Sequence, residues 1–327
     1  MNRFNVVMTS PHLAPQAVAI LERAGCALHY LPPYPSGAAV ADLAAQVAAD
    51  AILARQGTID AQAIAASPRL RIIARHGVGL DEVDLAAAAA RGVMVTNTPG
   101  ANAQAVAEHT LALILALVKE IKPLGATIAA GGWRDPAKGA RDVAGLRLGL
   151  VGCGAIGRAV ARLAAAFGMM VASADPALPP EGLPGIVRAE SVAALAAGSD
   201  VLSVHCPLTA ATRGLVGAEV MGAMPRGGFV VNTARGGIVD EAALLAALES
   251  GQVAGAALDV FDAEPPPADH PLRRHPRMLA TPHVGGSTPG ALVNMGVAAA
   301  ECIVQALSGG TVPAERIVVP GTTVKPV

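Results

Sequence analysis

Arg147-Leu148-Gly149-Leu150-Val151-Gly152-Cys153-Gly154-Ala155-Ile156-Gly157 is the stretch that decides the fold. An apolar run of strand character, Arg147–Val151, leads straight into Gly-x-Gly-x-x-Gly, and an Ala-rich helical pattern, Ile156–Phe167, follows. The spacing alone is weak evidence; the strand before it and the helix after it make it specific for dinucleotide binding. Gly152 permits the tight turn, Gly154 lets the backbone approach a pyrophosphate facing the helix N-terminus, and Gly157 lets helix and strand pack closely. The next strand, Met170–Ser173, leads to Asp175, about 20 residues on, where a carboxylate accepts from the ribose hydroxyls and repels a 2′-phosphate. The loop therefore predicts NAD rather than NADP.

Outward from the loop, strand and helix patterns alternate in both directions. Downstream, strands are expected at Val201–Val204, Phe229–Val231, Gly255–Leu258 and Met278–Ala280, with helices at Val192–Ala197, Glu241–Ser250 and Pro289–Ser308. Upstream, Phe4–Met8, Ala51–Ala54, Leu70–Ala74 and Val93–Thr96 read as strands and Pro15–Ala24 as a helix. Such alternation implies parallel α/β sheets with helices on both faces. Between the two series, Ala101 to about Ala129 reads as one long helix, an interdomain connector closed by Gly131-Gly132-Trp133.

Composition sets the bounds. At 327 residues the chain suits two domains, and 53% hydrophobic against 15% charged residues supports a large core. A net charge of -1 without a Lys/Arg block excludes an electrostatic nucleic-acid partner. The longest apolar run, Leu111–Val118, is short of a membrane span, and the opening Phe4–Met8 is too short for a signal peptide. The four cysteines, at 26, 153, 206 and 302, form no metal-ligand spacing, so we expect no metal and reduced thiols in the cytoplasm.

In an open parallel sheet, ligands sit outside the carboxyl ends of the strands. That rule selects His205, Arg235, Asp259 and His283, with Glu264 on the proline-stiffened loop beyond Asp259. Arginine, glutamate and histidine beside a nicotinamide suggest reduction of a ketone. The histidine donates the proton, the carboxylate orients it and favours the imidazolium, and the guanidinium binds a substrate carboxylate and polarises the carbonyl. His76, at another strand end, is the rival acid/base, though it lacks an evident carboxylate partner. His109, on an apolar helix, reads as a packed or interface residue.

These residues resemble the D-isomer-specific 2-hydroxyacid dehydrogenases over nearly the whole chain. The resemblance rests on the glycine loop, Asn232-Thr233-Ala234-Arg235-Gly236, Leu258-Asp259-Val260-Phe261 through Glu264-Pro265, and Thr281-Pro282-His283-Val284-Gly285-Gly286. Val106-Ala107-Glu108-His109 and Gly77-Val78-Gly79-Leu80-Asp81 also fit. It implies two doubly wound parallel-sheet domains: a flavodoxin-like substrate domain (1–99 and 287–327) interrupted by a Rossmann-type NAD domain (100–286). It implies Arg235 as substrate-binding arginine, His283 as acid/base and Glu264 as its partner. Asp259 would hold the nicotinamide carboxamide, with Gly285 nearby. Ala155, Ile156, Cys206 and Pro207 would flank the cofactor, with Thr233 and Ala234 beneath the nicotinamide. Amides around Val78 and Gly79 would receive the substrate carboxylate, and Arg55, Arg75 and His76 would shape substrate selection.

The expected reaction is NAD-linked interconversion of a (2R)-hydroxy acid and a 2-oxo acid, with hydroxypyruvate or glyoxylate as the oxo acid. Phosphoglycerate dehydrogenase is the alternative, and an NAD(H)-sensing corepressor-like binding protein is the alternative of another class. A homodimer built around the connector helix is expected, with the loop near Trp133 close to the partner. Glu264 stands where formate dehydrogenases of the superfamily carry glutamine, which argues against formate. Only a short tail follows Ser308, so a serine-type regulatory domain is not expected.

Overall fold

The computed structural model describes residues 3–133 and 140–321. They divide into two compact units, Met1–Asn102 with Ser287–Val327, and Ala103–Gly286.

The first unit is built on β1 (Phe4–Met8), β2 (Cys26–Tyr30), β3 (Ala51–Ala54), β4 (Ile72–Arg75) and β5 (Met94–Thr96). They run parallel in the order β2-β1-β3-β4-β5, the flavodoxin-like order. The central strands are covered on both faces; Val6, Val7, Ile52, Leu53, Ile72 and Ile73 are fully buried. That is why they read as continuous apolar runs and not as alternating ones.

The second unit carries β6 (Arg147–Val151), β7 (Met170–Ala174), β8 (Ile186–Arg188), β9 (Val201–Val204), β10 (Gly228–Asn232), β11 (Val253–Leu258) and β12 (Met278–Ala280). All are parallel, in the order β8-β7-β6-β9-β10-β11-β12. The order reverses between β6 and β9, the switch point where a Rossmann sheet takes its ligand.

The chain then returns to the first unit. The helix Pro289–Ser308 is capped by Thr288, whose side chain accepts from Ala291 N–H, and ends on left-handed Gly309. Its length and apolarity would suffice for a membrane span, but half of it is buried, with Ala299, Ala300, Cys302 and Ile303 in the core of β1, β3 and β4. A last strand, β13 (Ile317–Val319), pairs antiparallel with β5 and adds one non-parallel edge to the sheet.

The single connector helix expected over Ala101–Ala129 is in fact two, Ala103–Val118 and Ile121–Ala129, divided at Glu120, whose φ is +52°. Pro123 is the reason. In a continuous helix its ring would strike the carbonyl of Lys119; after the break it lies in a first turn, where no N–H is required.

Candidate active site

The glycine loop leaves β6 and enters the helix Ala155–Ala166. Gly152 has φ +99°, and a Cβ there would lie 2.8 Å from the Cys206 nitrogen, just beyond β9. A Cβ on Gly157 would collide with the Gly152 carbonyl. Gly154 is different: a Cβ there meets nothing within 4 Å, and as N-cap it supplies no side-chain bond. The helix therefore starts with an open face and no internal cap, which suits a pyrophosphate. Ala155 and Ile156 form its first turn.

Asp175 holds the loop in shape: Oδ2 accepts from Cys153 N–H at 2.6 Å and Oδ1 from Ala177 N–H at 2.8 Å. Arg158 Nη1 donates to the Cys153 carbonyl at 2.9 Å. Across the switch point stand Cys206 and Pro207. Burial pushes the Cys206 thiol up to about 11, so it is a neutral lining group. Desolvation lowers the neighbouring His205 to about 4; its neutral ring lies 2.9 Å from Ser203 Oγ. These residues fit a dinucleotide: an open helix start, a carboxylate on the next strand and small walls.

Further along the carboxyl edge lie Arg235, Glu264 and His283. Arg235 follows β10 in a turn fixed by Asn232, whose Oδ1 accepts from Ala234 N–H at 3.0 Å and whose Nδ2 donates to Arg235 O at 2.8 Å. Nη1 of Arg235 donates to Ala234 O at 2.7 Å. Thr233 is buried and bonds Thr110 Oγ1 at 2.8 Å. Gly236 has no room for a Cβ against the Phe261 carbonyl, so the arginine loop is stacked on the glutamate loop.

His283 Nδ1 lies 2.7 Å from Glu264 Oε2, with the side chains 47% and 38% exposed. Glu264 Oε1 accepts from Phe261 N–H at 3.1 Å. Burial pushes the Glu264 carboxyl up, but the bond to His283, its charge, the Phe261 amide and the Arg235 charge outweigh that, and it is held below the usual carboxylate range. His283 itself has φ +54°, a left-handed backbone uncommon for a residue with a side chain.

Asp259 stabilises that turn. It is 2% exposed and accepts from Thr281 Oγ1 at 2.6 Å, Val284 N–H at 2.9 Å and Gly285 N–H at 2.8 Å. His109 adds a contact, Nε2 lying 3.0 Å from Thr281 Oγ1 and 3.5 Å from Asp259 Oδ1. Burial raises the Asp259 carboxyl, but these donors outweigh it and hold it low. Asp259 is thus an anchor of the histidine loop from within.

The remaining predicted residues belong to the first unit, at the carboxyl ends of β3 and β4. Gly77, with φ +138°, exchanges bonds with Thr98: its N–H meets Thr98 Oγ1 at 3.1 Å, and that hydroxyl lies 3.1 Å from Gly77 O. Asn97 Nδ2 donates to Val78 O at 3.0 Å. Arg75 serves the same turn: Nε donates to Gly79 O at 2.7 Å, Nη1 to Ala54 O at 3.1 Å and Arg55 O at 2.5 Å, and Nη2 lies 3.5 Å from Glu82. Arg55 makes one long bond from Nη1 to His12 O, 3.4 Å. His76 is 6% exposed and its Nε2 lies 3.1 Å from Leu292 O. Burial, then the charge of Arg55, lowers it to about 4, so it is neutral, and its ring ties the end of β4 to the helix Pro289–Ser308.

Sequence reasoning passed over Glu241, Asp262 and His270, which bind the loop of Glu264 to that of Arg235. Glu241 reads as a routine acid in a helix first turn and His270 as a residue before proline; no local pattern marks their meeting.

The family profile described as D-isomer specific 2-hydroxyacid dehydrogenase, NAD binding domain, matches residues 111–285. The chain is 43% identical over 273 residues to a D-3-phosphoglycerate dehydrogenase of Mycobacterium bovis, covering 83% of this chain and 52% of that one. It thus spans about half the length of the phosphoglycerate dehydrogenases it matches. It is 40% identical over 263 residues to a hydroxypyruvate reductase of Thermotoga maritima, covering 79% of this chain and 85% of that one. Its fold superposes on a glyoxylate reductase from Paecilomyes thermophila with a TM-score of 0.85 at 30% identity, covering 97% and 99% of the two chains. With the glycine loop at the switch point and Arg235, Glu264 and His283 along the same sheet edge, the chain belongs to the D-isomer-specific 2-hydroxyacid dehydrogenases.

Proposed function

We propose that the protein is an NAD-dependent oxidoreductase that interconverts a (2R)-hydroxy acid and a 2-oxo acid, with hydroxypyruvate or glyoxylate as the oxo acid. The observation that carries the reading is the 2.7 Å pair between His283 Nδ1 and Glu264 Oε2, on the sheet edge that also bears Arg235. NADH, when bound, supplies the hydride. With Nδ1–H donated to Glu264, Nε2–H of His283 is left to protonate the carbonyl oxygen as negative charge develops on it. The guanidinium of Arg235 offers paired donors for the substrate carboxylate and the carbonyl oxygen. Asp175, by repelling a 2′-phosphate, supports NAD over NADP.

Phosphoglycerate dehydrogenase is the second reading, favoured by the 43% identity to such enzymes. Arg75 is already bonded to three carbonyls and placed beside Glu82, so Arg55 is the better candidate to meet a substrate phosphate. The test is NADH oxidation with glyoxylate, hydroxypyruvate, 3-phosphohydroxypyruvate and bulkier oxo acids, with chiral analysis of the product. Turnover of hydroxypyruvate to the 2R product supports the first reading. A marked preference for the phosphorylated acid, lost in Arg55→Ala, selects the second; a 2S product, or no turnover on any acid, sinks both.

We also infer a homodimer. The helix Ile121–Ala129 has no buried residue, and Ile121, Leu124 and Ile128 are 59%, 47% and 56% exposed at helical spacing, with Trp133 beyond at 82%. A stripe of this kind calls for a partner, and a second copy is the occupant that the family resemblance implies. Light scattering should give twice the chain mass, and Leu124→Lys should halve it. The free cysteines are consistent with a cytoplasmic location.

A further inference from the structure

The loop that presents Glu264 has almost no burial of its own. Residues 262–265 and 267–269 are exposed. Yet a catalytic carboxylate has to be held to within about half an ångström to be useful. Both ends of the loop converge on one side chain. Glu241 Oε1 accepts from Asp262 N–H at 2.9 Å, at the start of the loop. Glu241 Oε2 lies 3.0 Å from His270 Nε2, at its end, with the two side chains only 13% and 19% exposed.

Asp262 carries the connection onward: its Oδ1 accepts from Gly237 N–H at 2.5 Å, two residues after Arg235. The His270 ring is fixed in turn by an edge-to-face contact with Phe261, centroids 6.0 Å apart at 82°. Its Nδ1 is buried without a partner. An ionised carboxylate only accepts, so the ring nitrogen that faces it, Nε2, carries the proton and donates it to Glu241.

We propose that Glu241 and His270 are positioning residues for catalysis: one largely buried carboxylate closes the loop of Glu264 at both ends and, through Asp262, registers it against the loop of Arg235. Neither touches substrate; they set where Glu264 and Arg235 stand relative to His283. The proposal rests on the dehydrogenase reading above for its kinetic consequence, while the clamp itself is open to a measurement that needs no turnover.

The test uses the full chain with His270→Phe, which keeps the ring contact but removes the donor, and His270→Gln, whose Nε2 can still donate to Glu241. Hydrogen exchange reports the loop and steady-state kinetics report its use. Expected for His270→Phe is exchange at least about tenfold faster at the Asp262 and Gly237 amides. The rest of the second unit should be unchanged, kcat should fall about tenfold and KM for NADH should hold. His270→Gln should recover most of both losses. Unchanged exchange at those two amides overturns the clamp. Faster exchange with kcat intact overturns its catalytic role, and so does an equal loss in both variants accompanied by general unfolding. A wild-type chain inert on every oxo acid refutes the proposed function instead, and the exchange result still decides the clamp.

Discussion

Gly154→Ala separates folding from cofactor binding at a single methyl group. A Cβ at Gly154 meets no protein atom within 4 Å, and its φ of -70° is open to any residue. The apo protein should therefore tolerate alanine, and lost chain freedom in the unfolded state should stabilise it by about 0.4–1 kcal/mol. On the proposed reading of the loop, the same methyl stands where the pyrophosphate approaches the helix start. Overpacking there costs about 1–3 kcal/mol, which weakens NADH about 5- to 150-fold. Gly157→Ala makes the contrast: its Cβ strikes the Gly152 carbonyl, so the fold itself is destabilised, by roughly 1–3 kcal/mol. Thermal unfolding of both apo variants, with NADH titration by fluorescence, reads the two effects apart. If Gly154→Ala binds NADH as the wild type does, the open space is not the pyrophosphate seat and the assignment of the loop fails.

Three further outcomes are expected. Glu264→Gln keeps an acceptor for Phe261 N–H but turns an amide toward His283 Nδ1; discounted for two partly exposed groups, the loss is about 1 kcal/mol, or about fivefold in the rate of oxo-acid reduction by stopped flow. Asp175→Asn removes the charge that repels a 2′-phosphate, so the ratio of kcat/KM for NADH over NADPH should fall by at least about tenfold. His76 is buried and neutral, lowered from 6.5 to about 4, so the unfolded chain takes up the proton first and stability falls as pH drops through that window. Between about pH 7 and about pH 5 the loss from His76 is about 2 kcal/mol, and His76→Gln, which can still donate to Leu292 O, should remove that share in urea unfolding at the two pH values while the like share of His205 stays.

The parts legible in the sequence are those where one local pattern meets one physical demand. Strands buried on both faces, such as Ala51–Ala54 and Val201–Val204, stand out as apolar runs with turn residues at their ends. The glycine loop and the strand-end residues follow from where a parallel sheet leaves its ligands. Edge strands were harder. Cys26–Tyr30 has one buried residue, and Ile186–Arg188 is three residues long, so neither carries an apolar run. Pro123 marked the break in the connector, but the apolar periodicity on either side of it dominates a sequence-based reading. The joint role of Glu241 and His270 was illegible for a different reason. Their meeting depends on a loop closing on itself, and no spacing in the chain encodes that closure. Arg75 shows the converse: residue type suggests an anion receptor, while the geometry turns its donors to the carbonyls of Gly79, Ala54 and Arg55 and to the carboxylate of Glu82.

The backbone at His283, at φ +54°, bears on how this chain can change over generations. That region of conformational space suits Asn, Asp and His among residues with side chains, and it is closed to β-branched ones. Asparagine and aspartate are each one nucleotide away from histidine. On the role proposed for His283, a descendant released from selection for turnover thus has neighbours that extinguish the proton donor and leave the turn relaxed. Non-catalytic relatives that still fold and still hold a dinucleotide are, for this architecture, one mutation distant, and Asn or Asp at position 283 is the mark by which they would be known.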